Sequence, residues 1–98
     1  MMVLNMATLR DRFGRKLRVL RKEAGLSQER LAEKAEVSVD FLSLVERGVN
    51  APSFETMERL AEALGKEVRE FFNFEDGPEF LFQADAIFSS LFFDVTLQ

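Results

Sequence analysis

The sequence predicts an all-α domain of five helices with a short hydrophobic extension at its C-terminal end. Three observations carry this expectation. Apolar residues recur every three or four positions, the repeat of one helix face. A Ser or Thr (Thr8, Ser27, Ser38, Ser53) precedes each of the first four apolar runs, where an N-cap belongs. Gly25, Gly48 and Gly65 follow three of those runs, where a helix leaves its right-handed conformation.

In order along the chain, residues 1–7 are a lead-in, and Thr8 caps a first helix running to about Ala24. Leu9, Phe13, Leu17, Leu20 and Ala24 share its inward face, and Arg10, Arg12, Arg15, Lys16, Arg18, Arg21 and Lys22 surround the rest. Ser27 caps a second helix, Gln28 to about Lys34. Ala35-Glu36-Val37 form a short turn, and a third helix runs from Val39 to Arg47. A loop over Val49–Pro52 leads to a fourth helix with Met57, Leu60, Ala61 and Leu64 inward, and a short fifth helix is expected at Glu67–Phe72. The Asp76-Gly77-Pro78 turn signal then divides a domain at 8–74 from a hydrophobic segment at 78–98.

The chain has 98 residues with neither Cys nor His. Disulfides and thiolate chemistry are excluded, and the commonest metal ligand and general base is missing. No carboxylate pair stands in a catalytic motif, so no enzymatic activity, cofactor or metal is expected. No apolar run approaches a membrane span. The opening MMVLNMATLR lacks the order of a signal peptide, so a soluble cytoplasmic protein is expected. Net charge is −4, unevenly distributed: residues 1–50 hold ten Lys/Arg against seven Asp/Glu, and residues 51–98 hold three against ten. A basic half joined to an acidic half suggests one face for an anionic partner and another for something else.

Two helices joined by a three-residue turn are the geometry of a helix-turn-helix, here at about residues 28–47. Within it Ala32 must be small where the helices cross, and Leu31, Ala35, Val37, Leu42 and Val45 fill the space beneath. The opposite face of the third helix carries Val39, Asp40, Ser43 and Leu44. The pieces RKLR, GLSQERLA, VS, FLSLVERG, APSFETMERLAEALG and EVREFF, in register over roughly residues 9–73, resemble the lambda-repressor/Cro-like (XRE) helix-turn-helix family. Within that family the run is similar to the controller proteins of restriction–modification systems.

The resemblance implies a lambda-repressor-like, five-helix domain that binds double-stranded DNA with its third helix in the major groove. It implies that Gln28 touches the DNA backbone or an adjacent base. Ser38, Val39, Asp40, Phe41, Ser43 and Leu44 occupy recognition-helix positions, and Arg47 and Asn50 lie near phosphates. It also implies a partly buried salt bridge between Arg21 and Glu46. Independently, the helix N-termini at Gln28 and Val39 offer free N–H groups to phosphates, and the basic first helix offers electrostatic attraction.

Two features depart from the family pattern. Glu36 stands in the turn where Gly is common, because that position wants φ > 0. No Arg, Lys, Asn or Gln lies between Ser38 and Val45, so the usual bidentate base readers are missing. Thymine-methyl contact from Val39 or Leu44, single bonds from Ser38 and Ser43, and cytosine-amine contact from Asp40 remain. Asp40 is alternatively a first-turn acid favouring the helix dipole, and Gln28 a polar helix start.

Residues 78–98 hold five of the eleven Phe and no Lys or Arg. Phe80, Ala84, Ile87 and Leu91 make a helical stripe, but Phe82, Phe88, Phe92, Phe93 and Val95 fall off it, and a strand over FFDVTL is also open. A segment this apolar implies a partner surface, most simply a second copy, with Phe80, Phe82, Ile87, Phe88, Leu91, Phe92 and Phe93 as dimerisation residues. The leading expectation is therefore a dimeric, sequence-specific transcriptional regulator. The alternative is an antitoxin or anti-repressor type module that binds a partner protein through the same tail.

Overall fold

The computed structural model describes residues 7–74, which form α1 (Leu9–Glu23), α2 (Gln28–Ala35), α3 (Val39–Glu46), α4 (Phe54–Leu64) and a closing 3-10 helix (Val68–Phe72). Among these residues there is no strand, and no helix is long and apolar enough to cross a membrane. Residues 78–98, with the expected dimerisation residues and the helix-or-strand alternative, lie outside the described residues.

Every α-helix starts in the same way. The hydroxyls of Thr8, Ser27, Ser38 and Ser53 accept the amides of Asp11, Arg30, Phe41 and Thr56 at 3.0–3.1 Å. Each satisfies a donor that would otherwise lack an intrahelical partner. At Thr8 the bond is reciprocal, since the Asp11 carboxylate accepts the Thr8 amide at 3.1 Å. Every α-helix also ends in one residue of left-handed conformation, at Gly25, Glu36, Gly48 and Gly65. Amides there fold back onto the last turn, as where Gly48 N–H donates to Val45 and Val49 N–H to Leu44.

The core is one cluster of Phe13, Leu17, Leu20, Leu31, Leu42, Val45, Met57, Leu60, Leu64 and Phe71, with Ala32, Ala35 and Ala61 where helices cross closely. Residues from all four α-helices and the 3-10 helix meet there. α2 packs on both α3 and α4, and α1 packs on α3 and the 3-10 helix. At Gly14 the backbone of α1 lies against the last turn of α3: a Cβ there would stand 2.6 Å from the Glu46 carbonyl oxygen. Arg59 on α4 donates from Nε to the Ala35 carbonyl at 2.9 Å, closing the C-terminal end of α2. No buried side-chain polar atom among the described residues lacks a partner.

Three details differ from the sequence reading. The fifth element is a 3-10 helix, so four α-helices stand where five helices were expected. Its five residues are too few for a run of i→i−4 bonds, and its amides instead bond three residues back, Glu70 to Glu67 and Asn73 to Glu70. Leu9 and Ala24, assigned by spacing to the inward face of α1, are exposed because they sit at the helix ends, beyond the elements that cover its middle. Val39, assigned to the outer face of α3, is half-buried against the core.

The 3-10 helix is clasped to α1 by aromatic rings. Phe13 meets Phe71 at 5.1 Å and Phe72 at 5.4 Å between centroids, and the Arg12 guanidinium lies 4.5 Å over Phe74. An apolar groove opens beside this cluster, lined by Leu9, Phe13, Phe54, Met57 and Phe72. Phe54, at 80% exposure, stands at its rim.

Candidate nucleic-acid interface

The site is built around a buried ion pair. Arg21, near the C-terminal end of α1, donates from Nε to Glu46 Oε2 at 2.6 Å and from Nη2 to Oε1 at 3.1 Å. The side chains are 9% and 2% exposed. Arg21 Nη1 also donates to the Leu26 carbonyl at 2.8 Å, in the α1–α2 connection. The bidentate fork fixes the angle at which the carboxylate is held, as a point charge would not.

Gln28 joins the same group. Its Nε2 donates to Glu46 Oε1 at 2.9 Å, so one carboxylate holds the end of α1, the start of α2 and the last turn of α3. Sequence reasoning missed this bond because residues eighteen apart come together only in the folded chain. The bond takes one amide hydrogen of Gln28 and leaves the second hydrogen and the carbonyl.

Above the ion pair lies an open polar cleft between α1, the start of α2 and α3, lined by Arg18, Lys22, Ser27, Gln28, Ser43 and Arg47 among others. Arg18, Lys22 and Arg47 are exposed, and Gln28 and Ser43 are half-buried. The amide end of α2 opens at its floor, where Ser27 caps the helix. Three exposed cations, a helix N-terminus and a hydroxyl in one concavity outweigh the exposed Glu29 carboxylate that also lines it, and together suit an anion. The sequence offered seven cations around α1 without distinguishing them; the fold brings Arg18 and Lys22 to this cleft.

The remaining predicted positions divide. On α3, Asp40 is exposed and Leu44 half-buried. Ser38 is exposed, but its hydroxyl is engaged as the cap of α3. Val39 and Phe41 are half-buried and pack partly against the core. Asn50 is half-buried, its amide donating to the Leu44 carbonyl at 3.3 Å, and it borders the apolar groove rather than the polar cleft. Positions 40, 43, 44 and 47 follow helical spacing and form the outward stripe of α3 and its cap.

Comparison with known proteins places the fold in a family. The sequence profile described as helix-turn-helix matches residues 17–71. The immunity repressor protein of Bacillus phage phi105 is 44% identical over 55 residues, which is 56% of this chain and 38% of the repressor. The HTH-type transcriptional regulator SinR of Bacillus licheniformis is 34% identical over 79 residues, 80% of this chain and 71% of SinR. This chain thus spans well under half the length of the phage repressor. Among solved structures, the restriction–modification controller protein C.AhdI from Aeromonas hydrophila superposes with a TM-score of 0.63 at 41% identity, covering 64% of this chain and 96% of that one. With the profile matched over more than half its length, the chain belongs to the helix-turn-helix family of lambda-repressor/Cro-like (XRE) type.

Proposed function

We propose that this chain is a sequence-specific, DNA-binding transcriptional regulator that acts in the cytoplasm as a dimer. The observation that carries the reading is the cleft where Arg18, Lys22 and Arg47 surround the N-terminus of α2 beside the outward stripe of α3. A phosphate of the DNA backbone fits that cleft, and seating it there lays α3 along the major groove. Arg47 contacts backbone, Gln28 adds its second amide hydrogen to the same phosphate, and Asp40, Ser43 and Leu44 meet base edges. Phosphate contacts set register and affinity, and base-edge contacts set sequence preference.

Dimerisation is supported by chemistry and geometry. A recognition helix with no Arg, Lys, Asn or Gln between Ser38 and Val45 gives modest discrimination per copy. Two copies on half-sites about 34 Å apart double the contacts. Residues 80–93, with Phe80, Phe82, Ile87, Phe88, Leu91, Phe92 and Phe93, supply the dimerisation surface in this reading.

The test begins with duplexes selected from a random pool by the full chain, followed by fluorescence-anisotropy titration at several salt concentrations. The logarithm of the binding constant is expected to fall linearly with that of salt, by about 0.9 per phosphate contact. Arg47→Ala should weaken binding to selected and scrambled DNA alike and flatten that slope, whereas Ser43→Ala should change the ranking of sequences. Equal, weak binding to both DNAs would sink the proposal and favour a protein partner instead.

A further inference from the structure

The outward stripe of α3 has a chemistry that narrows its target, provided that it reads DNA as proposed above. Asp40 occupies the second position of α3 and is exposed, and its carboxylate forms no ion pair or hydrogen bond with another described residue. An ionised carboxylate only accepts. In the major groove the donors are the amines of cytosine (N4) and adenine (N6), whereas guanine and thymine turn acceptors outward. Asp40 is also repelled by phosphates, so on bound DNA its carboxylate is accommodated only over an amine.

Leu44 lies one helical turn further on, half-buried on the same side of α3. Its apolar end suits a methyl group. Thymine carries a methyl, but beside it stands the O4 acceptor, which opposes the Asp40 carboxylate. Cytosine carries the amine without the methyl. An amine donor and a methyl on neighbouring ring positions occur together in 5-methylcytosine. Ser43 on the same stripe offers one hydroxyl that can donate or accept and so does not oppose this pair; no Arg, Lys, Asn or Gln lies between Ser38 and Val45, and the Ser38 hydroxyl is engaged with the Phe41 amide at 3.0 Å.

We propose that α3 reads 5-methylcytosine, Asp40 taking the N4 amine and Leu44 covering the C5 methyl, so that cytosine methylation of the operator strengthens binding. The experiment selects duplexes with the full chain from two random pools, one ordinary and one with every cytosine replaced by 5-methylcytosine. Each winning duplex is then titrated in both forms. Methylation is expected to tighten binding about fourfold for each methyl covered. Leu44→Ala should abolish the difference between the two forms, and Asp40→Asn should move the preference towards adenine.

Equal or weaker binding to the methylated form, or a winning cytosine–thymine step with no methylation gain, would overturn this proposal and leave DNA reading intact. Failure to select any duplex from either pool would overturn both. The two-duplex comparison on the unaltered chain decides the question whatever the variants do to folding.

Discussion

Glu36 has φ 62° and ψ 43°, the sole left-handed conformation among non-glycine residues of the described chain. It occupies the turn between α2 and α3, where Val37 must come back to bond the Ala32 carbonyl at 3.0 Å. An L side chain there costs about 1 kcal/mol in backbone strain. Glu36→Gly removes the strain but loosens the unfolded chain, so a net gain of about 0.5 kcal/mol is expected from denaturant midpoints. A loss on substitution would show that the glutamate makes a compensating contact. Glu46 is the opposite case. Its removal leaves the largely buried Arg21 guanidinium with the Leu26 carbonyl but no counter-charge, and Glu46→Ala should cost about 3–5 kcal/mol in urea denaturation. Replacing both partners by apolar residues of similar volume should cost far less stability. That double variant would still lose DNA binding, because the carboxylate also holds Gln28 at the floor of the cleft.

Between elements, the closest approach is that of α1 to the end of α3. A methyl at Gly14 would collide with the carbonyls of Val45 and Glu46, both backbone atoms that cannot swing aside. Gly14→Ala is therefore expected to destabilise the domain by about 1–3 kcal/mol, and to weaken DNA binding beyond its loss of folded protein. The second effect separates a displaced α3 from simple unfolding, and is read by titrating under conditions where circular dichroism shows the variant folded. The 3-10 helix shows the same dependence on neighbours. Phe71 is fully buried although its own element is too short to be stable alone, because Phe13 and the core supply its contacts.

For the whole molecule, charge and apolar surface are divided along the chain. Arg18, Lys22 and Arg47 of the polar cleft belong to the basic first half, while the Phe-rich segment belongs to the acidic second half. If residues 80–93 join two copies, Phe88→Ser, Phe92→Ser and Phe93→Ser together should convert a dimer to a monomer in sedimentation equilibrium. They should also reduce the steepness of operator titrations while leaving the helical circular dichroism signal of the domain in place. An unchanged dimer after that triple substitution would move the interface elsewhere.

The sequence by itself determined the helical class, the four caps and nearly all of the core, while the αL requirement at position 36 came from the family resemblance. These are local matters: a hydroxyl accepts an amide three residues on, and an apolar stripe repeats with the helix. The family resemblance added the pairing of Arg21 with Glu46. Only the tertiary structure decided which of the seven cations around α1 reach the cleft, that Gln28 is bound to Glu46, and that Val39 and Phe41 lean on the core while Asp40 stands clear. It also decided that the fifth element is a 3-10 helix, and that Asn50 borders the apolar groove. The physical reason is common to all of these. Each depends on how one helix is rotated and seated against another, and that is fixed by close contacts between residues far apart in the chain, which no periodicity encodes.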